Sequence, residues 1–268
     1  MTFSRFERDG LALRYRDVGS GMPVILQHGL GGDEAQVADV FPVAPAVRRI
    51  TLECRGQGGS PFGSATGFSI ATFADDLTSL AETLHLGPAV AGGISMGAAI
   101  ALRLAVQRPK SLRALILARP AWVTRSGPDN MQPYALVGDL LQRFEPREAC
   151  RRFEASATAD ELARLAPDNL ASLRGFFDRT QPEKLGALLR AIAADGPGVT
   201  EADLANIDMP VLVIGHGQDL AHPQAMAEKL AALIPGAAFV SITPKARDRQ
   251  AYSGEFQAAL QDFLGRLQ

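Results

Sequence analysis

Histidine is scarce in this sequence, with four residues in 268, and cysteine is scarcer, with two. So few of each leave no cluster at metal-ligand spacing, and no metal is expected. Cys54 and Cys150 cannot form a disulfide framework, so reduced thiols in a cytoplasmic protein are the expectation. Charge of one sign is also lacking. A formal net charge of -2 gives no electrostatic reason to expect nucleic acid or an anionic membrane as partner. Residues 83–102 carry no Asp, Glu, Lys or Arg, but Gly87, Pro88, Gly92, Gly93 and Gly97 break this stretch into strand, turn and helix rather than a membrane span. The first ten residues carry Arg5, Glu7, Arg8 and Asp9 and have no apolar h-region, so no signal peptide is expected.

What the sequence does hold is apolar substance and alternation. Hydrophobic residues make up 47% of the chain, enough for one large α/β domain. Residues 5–8 and 11–17 read as strands about an Asp9-Gly10 turn. Strands are predicted at 23–27, 49–53, 89–93 and 112–118, and again at 209–214 and 238–242. Helices are predicted through Phe73, Leu77, Leu80 and Leu84 with Thr72 as N-cap, and at 98–107, 223–233 and 252–267. This is the pattern of a mainly parallel, eight-strand-like sheet flanked by helices. From 120 to 207 the rhythm turns helical. That block is expected to be a cap over the sheet's carboxyl edge, inserted into a core made of 1–119 and 208–268.

Gly93-Ile94-Ser95-Met96-Gly97 follows an apolar strand and opens a helix. A strand-to-helix turn this tight excludes side chains at its flanks and pushes the serine into the cleft, where the helix N-terminus favours developing negative charge. His28-Gly29-Leu30-Gly31-Gly32 follows an earlier strand, and its backbone can approach the same point. The N–H groups of Leu30 and Met96 are therefore the expected oxyanion donors, and His28 is expected to brace the turn. Asp219, just past the strand at 209–214, reads either as a carboxylate orienting an imidazole or as the N-cap of the following helix. Cys54 reads as a small buried hydrophobe and His85 as a helix-end cap. No lysine stands at a Walker position and no nucleotide fingerprint appears, so no cofactor is expected.

Taken together, the His28-Gly29 turn, the Arg55-Gly56-Gln57-Gly58-Gly59-Ser60 loop, the Ser95 turn and the Asp219 loop resemble the capped serine hydrolases of the α/β-hydrolase superfamily over essentially the whole chain. The resemblance implies the chain order nucleophile, acid, base, with Ser95 as nucleophile and Asp219 as acid. It also implies a histidine after the last strand, and residues 243–252 contain none. Gln57 stands where the family often has histidine, and Cys54 lies near its usual aspartate.

A serine without a base is a poor nucleophile. His222 is the first candidate to fill the gap, Lys245 the second if burial lowers its pKa, while Arg247 in the vacant place would pair with Asp219 and bind an anion. His216 leaves its strand too early to aim confidently at Ser95. Arg119 and Trp122, where the chain enters the cap, are candidate substrate contacts; a salt bridge from Arg119 to the cap and packing of Trp122 between core and cap are the plainer readings. The expected function is hydrolysis of a small ester, lactone or thioester in a largely apolar pocket. The alternative is a small-molecule-binding protein of the same fold that has lost its chemistry.

Overall fold

The computed structural model describes residues 2–42, 46–64 and 67–268. Strands β1 (Ser4–Arg8) and β2 (Leu11–Gly19) form the antiparallel hairpin about Asp9 and Gly10. Next come β3 (Met22–Gln27), α1 (Glu34–Val40), β4 (Val47–Leu52), α2 (Ile70–Thr83), β5 (Ala89–Ile94), α3 (Met96–Gln107) and β6 (Leu112–Ala118). The chain closes with β7 (Val211–Gly215), α10 (Gln224–Leu233), β8 (Ala238–Ser241) and α11 (Arg249–Gly265). These strands make one eight-stranded sheet in the order β1-β2-β4-β3-β5-β6-β7-β8. From β4 to β8 every neighbouring pair is parallel, and β2 joins β4 antiparallel.

Burial explains the strand composition. Every residue of β5 and β7 is buried, so both read as apolar runs rather than as alternations. One face, with Val24, Leu26, Val90, Ile116 and Ile214, packs against Val37 of α1 and Phe256 and Leu260 of α11. On the other face Leu115, Leu117 and Val213 meet Ala98 and Leu102 of α3 and Leu230 of α10, while Ile25 meets Phe73 and Leu77 of α2.

Between β6 and β7 lie α4 (Gln132–Arg143), α5 (Pro146–Glu154), α6 (Ala157–Leu165), α7 (Pro167–Arg174), α8 (Pro182–Ala194) and α9 (Glu201–Ala205). Their apolar side chains, among them Val137, Phe153, Leu173 and Leu188, continue the core cluster of α2 and α3 without a break. Helices α4 and α8 approach closely because Gly138 and Gly186 face each other: a Cβ on either would stand within 2.8 Å of the other's carbonyl oxygen.

Helix starts differ from the sequence reading where capping chemistry competes. Ser69, not Thr72, caps α2, accepting from the Thr72 amide at 2.9 Å. Helix α3 begins at Met96, two residues earlier than the periodicity indicated, because the serine turn leads directly into it. Asp248 caps α11, which starts at Arg249 rather than Tyr252.

Candidate active site

Ser95 joins β5 to α3 with φ 57° and ψ -111°. A non-glycine residue holds such a conformation at a cost of about 1–3 kcal/mol and only when its surroundings enforce it. The flanking glycines are part of that enforcement. A Cβ at Gly93 would lie 2.4 Å from the Gly97 carbonyl carbon, and one at Gly97 would lie 2.4 Å from the Gln27 carbonyl oxygen.

The turn after β3 meets this elbow. A Cβ on Gly29 would stand 3.4 Å from the Ser95 Cβ. Neighbouring amides of that turn are committed: Gly29 N–H donates to Gln36 Oε1 and Gly31 N–H to Gln57 Oε1, both at 2.7 Å. Gln57 thus does structural work in the place where a histidine was expected. Leu30 N–H, on the cleft wall, and Met96 N–H, at the first turn of α3, have no acceptor among the described residues. His28 is fully buried, donating from Nδ1 to Gly29 O and accepting the Cys54 amide at Nε2. Burial holds its pKa below the ordinary histidine value and keeps it neutral. Cys54 is 1% exposed, and burial drives its thiol pKa far above the usual range.

His222 comes to Ser95 from the loop after β7. Its Nε2 lies 2.8 Å from Ser95 Oγ. Behind it, Nδ1 stands 2.9 and 3.0 Å from the two Asp219 oxygens. Asp219 is not a helix cap, since α10 is capped by Pro223. Its Oδ1 accepts the His222 amide at 3.0 Å, closing a tight turn that fixes acid and imidazole together. Asn169 of α7 holds this turn from above, accepting the Leu220 and Ala221 amides at 2.8 and 3.0 Å. Asn130 donates to Ala221 O at 2.7 Å.

Arg119 is the residue whose place the sequence least foretold. Among the described residues it makes no bridge to the helical block. Its guanidinium grips Asp219, with Nη2 at 2.6 Å and Nε at 3.1 Å from Oδ2, and Nη2 lies 3.2 Å from His222 Nδ1. The pairing with Asp219 foreseen for Arg247 therefore belongs to Arg119, and Arg247 is exposed. Burial opposes ionisation of Asp219, but His222 and Arg119 outweigh it and hold its pKa well below the usual carboxylate range. For His222 burial dominates, assisted by Arg119 and resisted by Asp219, and its pKa falls below the ordinary value. His216 stays behind the site, with Nε2 3.7 Å from Asp219 Oδ2 and its ring edge-on to Tyr252.

A cleft of about 200 Å³ opens at Ser95 and His222. Its walls include Gln36, Asp168, Asn169, Ser172, Arg179 and Lys245, so it is more polar than the apolar pocket expected. Trp122 does not line it. That side chain is 1% exposed and donates from Nε1 to Asp195 O at the junction of α8 with the core, in the packing role rather than against substrate. Arg119, Tyr134 and Lys245 do line it; no motif marked Tyr134, which its helix register brings in from α4. Among the described residues no group of His, Cys, Asp and Glu could hold a metal ion, and no helix is long and apolar enough to cross a membrane.

Comparison with known proteins agrees with this architecture. Residues 22–247 match the family described as alpha/beta hydrolase fold. The pimeloyl-[acyl-carrier protein] methyl ester esterase of Aromatoleum aromaticum is 31% identical over 80% of this chain and 86% of its own length. The putative carbamate hydrolase RutD of Agrobacterium fabrum is 26% identical over 79% of this chain and 80% of its own. Among solved structures, the enol-lactonase from Burkholderia xenovorans LB400 superposes with a TM-score of 0.71 at 25% identity, covering 96% of this chain and 98% of that one.

Proposed function

The chain belongs to the α/β-hydrolase fold family, and from that premise we propose that it is a serine hydrolase of small acyl compounds, with Ser95 as nucleophile, His222 as base and Asp219 as the acid behind it. The observation that carries this reading is the 2.8 Å contact between His222 Nε2 and Ser95 Oγ, with Asp219 on the far side of the ring. The relatives named for ester and carbamate hydrolysis support the same class of reaction.

In this mechanism Ser95 Oγ attacks the acyl carbon while His222 Nε2 takes its proton. The tetrahedral oxyanion accepts hydrogen bonds from the Leu30 and Met96 amides, which have no competing acceptor among the described residues. His222 then gives its proton to the leaving group, and the acyl-enzyme forms. Water, deprotonated by the same imidazole, attacks the acyl carbon and releases the acid and the Ser95 hydroxyl. The ionised Asp219 keeps the Nδ1 proton in place throughout. Helices α4 to α9 act as the cap, with α4, α7 and the segment after α7 supplying the cleft wall opposite Ser95 and excluding bulk water.

The contact at Ser95 also argues against the non-catalytic alternative, because a pocket without chemistry has no need of an imidazole on the strained serine. A fluorophosphonate probe tests the reading. Wild-type protein is expected to be labelled, Ser95→Ala not at all, and His222→Ala about 10²- to 10⁴-fold more slowly. Labelling that survives Ser95→Ala would overturn it.

A further inference from the structure

The cleft beside Ser95 carries more donors than the reaction uses. Lys245, in the loop between β8 and α11, faces the cleft and has no hydrogen-bond or ion-pair partner among the described residues. Arg179 faces it too, with one arm donating to Gly31 O at 3.1 Å and no carboxylate partner among the described residues. Tyr134 is only 7% exposed, and its hydroxyl has no hydrogen-bond partner among the described residues. Tyr134 is buried up to the cleft, Lys245 is half-buried and Arg179 is exposed, and all three bring donors to one cavity wall, which points to an acceptor that arrives with the ligand. Burial, together with the charge of Asp219, pushes the Tyr134 pKa up to about 12, so this hydroxyl keeps its proton at neutral pH. The other charges near the cleft do not cancel this character. Arg119 and Asp219 neutralise each other, and Asp168 is one carboxylate against Lys245 and Arg179.

We propose, building on the serine-hydrolase reading, that this cleft selects acyl compounds bearing a carboxylate away from the scissile bond, with Lys245 Nζ as its ion-pair partner and the Tyr134 hydroxyl as a neutral donor. The loop that carries no base is in this view the loop that reads the substrate. A cavity of about 200 Å³ suits a short dicarboxylic half-ester rather than a long acyl chain.

The test compares monomethyl glutarate with methyl glutaramate, which has an amide in place of the carboxylate. Wild-type protein is expected to prefer the half-ester by about tenfold or more in kcat/KM, through a lower KM, and to lose the preference as salt is raised. Lys245→Gln should abolish the preference and Lys245→Glu should invert it, while Arg247→Gln, on the exposed part of the same loop, should retain it. Calorimetry of glutarate on Ser95→Ala protein gives a second readout that needs no turnover. There Lys245→Gln is expected to weaken binding about tenfold and Tyr134→Phe to weaken it measurably. Equal use of both esters, or a preference and glutarate affinity that survive Lys245→Gln, overturns the proposal and leaves the hydrolase reading standing. Tight, Lys245-dependent glutarate binding with no turnover and no probe labelling supports the anion site and refutes the hydrolase instead.

Discussion

Arg119 has a backbone φ of +45°, a conformation that non-glycine residues seldom adopt. It closes β6 by donating its N–H to Ile214 O, and the turn aims its guanidinium at Asp219. The consequence is a contest for the His222 ring. With the proton on Nδ1, the ring donates to Asp219 and presents a bare Nε2 to Ser95. With the proton on Nε2, the ring accepts from Arg119 at Nδ1 and cannot activate the serine. An ionised carboxylate at 2.9 Å decides for the first arrangement. Asp219→Asn removes that decision while Arg119 remains as a donor, so kcat is expected to fall by about 10⁴ with the fold intact, as measured by initial rates and circular dichroism. Arg119→Gln works in the opposite sense on the titration. Arg119 lowers the His222 pKa, so its loss lets Asp219 raise it. The acid limb of the kcat/KM profile should then move to higher pH, and an unmoved limb would remove Arg119 from any part in setting the base.

At the scale of elements, the strands, the elbow and the glycine turn were legible because each rests on local rules: apolar runs, paired glycines and helix starts. The position of His222 was legible only as a candidate, since nothing in Asp219-Leu220-Ala221-His222 states that the chain curls back on itself. That curl is imposed from outside by Asn169 and Asn130, which lie about fifty and ninety residues away in sequence and carry no motif. Arg119 does line the cleft, but its ion-pair partner was hidden for the same reason, because that partner depends on how β6 and β7 are paired. Asn169→Ala should leave the Leu220 and Ala221 amides without their acceptor, costing about 1–3 kcal/mol in stability and lowering kcat more than it raises KM. Urea unfolding with steady-state kinetics separates the two effects. Arg247→His puts an imidazole back into the loop after β8, but at an exposed position whose amide closes a turn on Pro244 O. Rates are therefore expected to stay within about twofold of wild type, as surface changes usually do. A large gain would show that this loop reaches the serine.

For the whole molecule, burial of histidine becomes a stability term. His28, His216 and His222 all have their pKa lowered, each chiefly by desolvation. A lowered folded value means that the unfolded chain binds protons first as pH falls. Their contribution is thus complete above about pH 6.5 and is lost progressively below it. The melting temperature is expected to hold on the neutral side and to drop through pH 6 and 5, before the surface carboxylates titrate. A flat profile across that window would show that these rings are solvated.

Acid and imidazole here ride on one four-residue turn, His222 being bonded to Asp219 through both backbone and ring. Under the proposed roles, chemistry and recognition are borne by separate lengths of chain. The segment between β8 and α11 is freed from holding a ring to a fraction of an ångström, and it can be exchanged like an interchangeable tool head, altering what the enzyme grips without disturbing how it cuts.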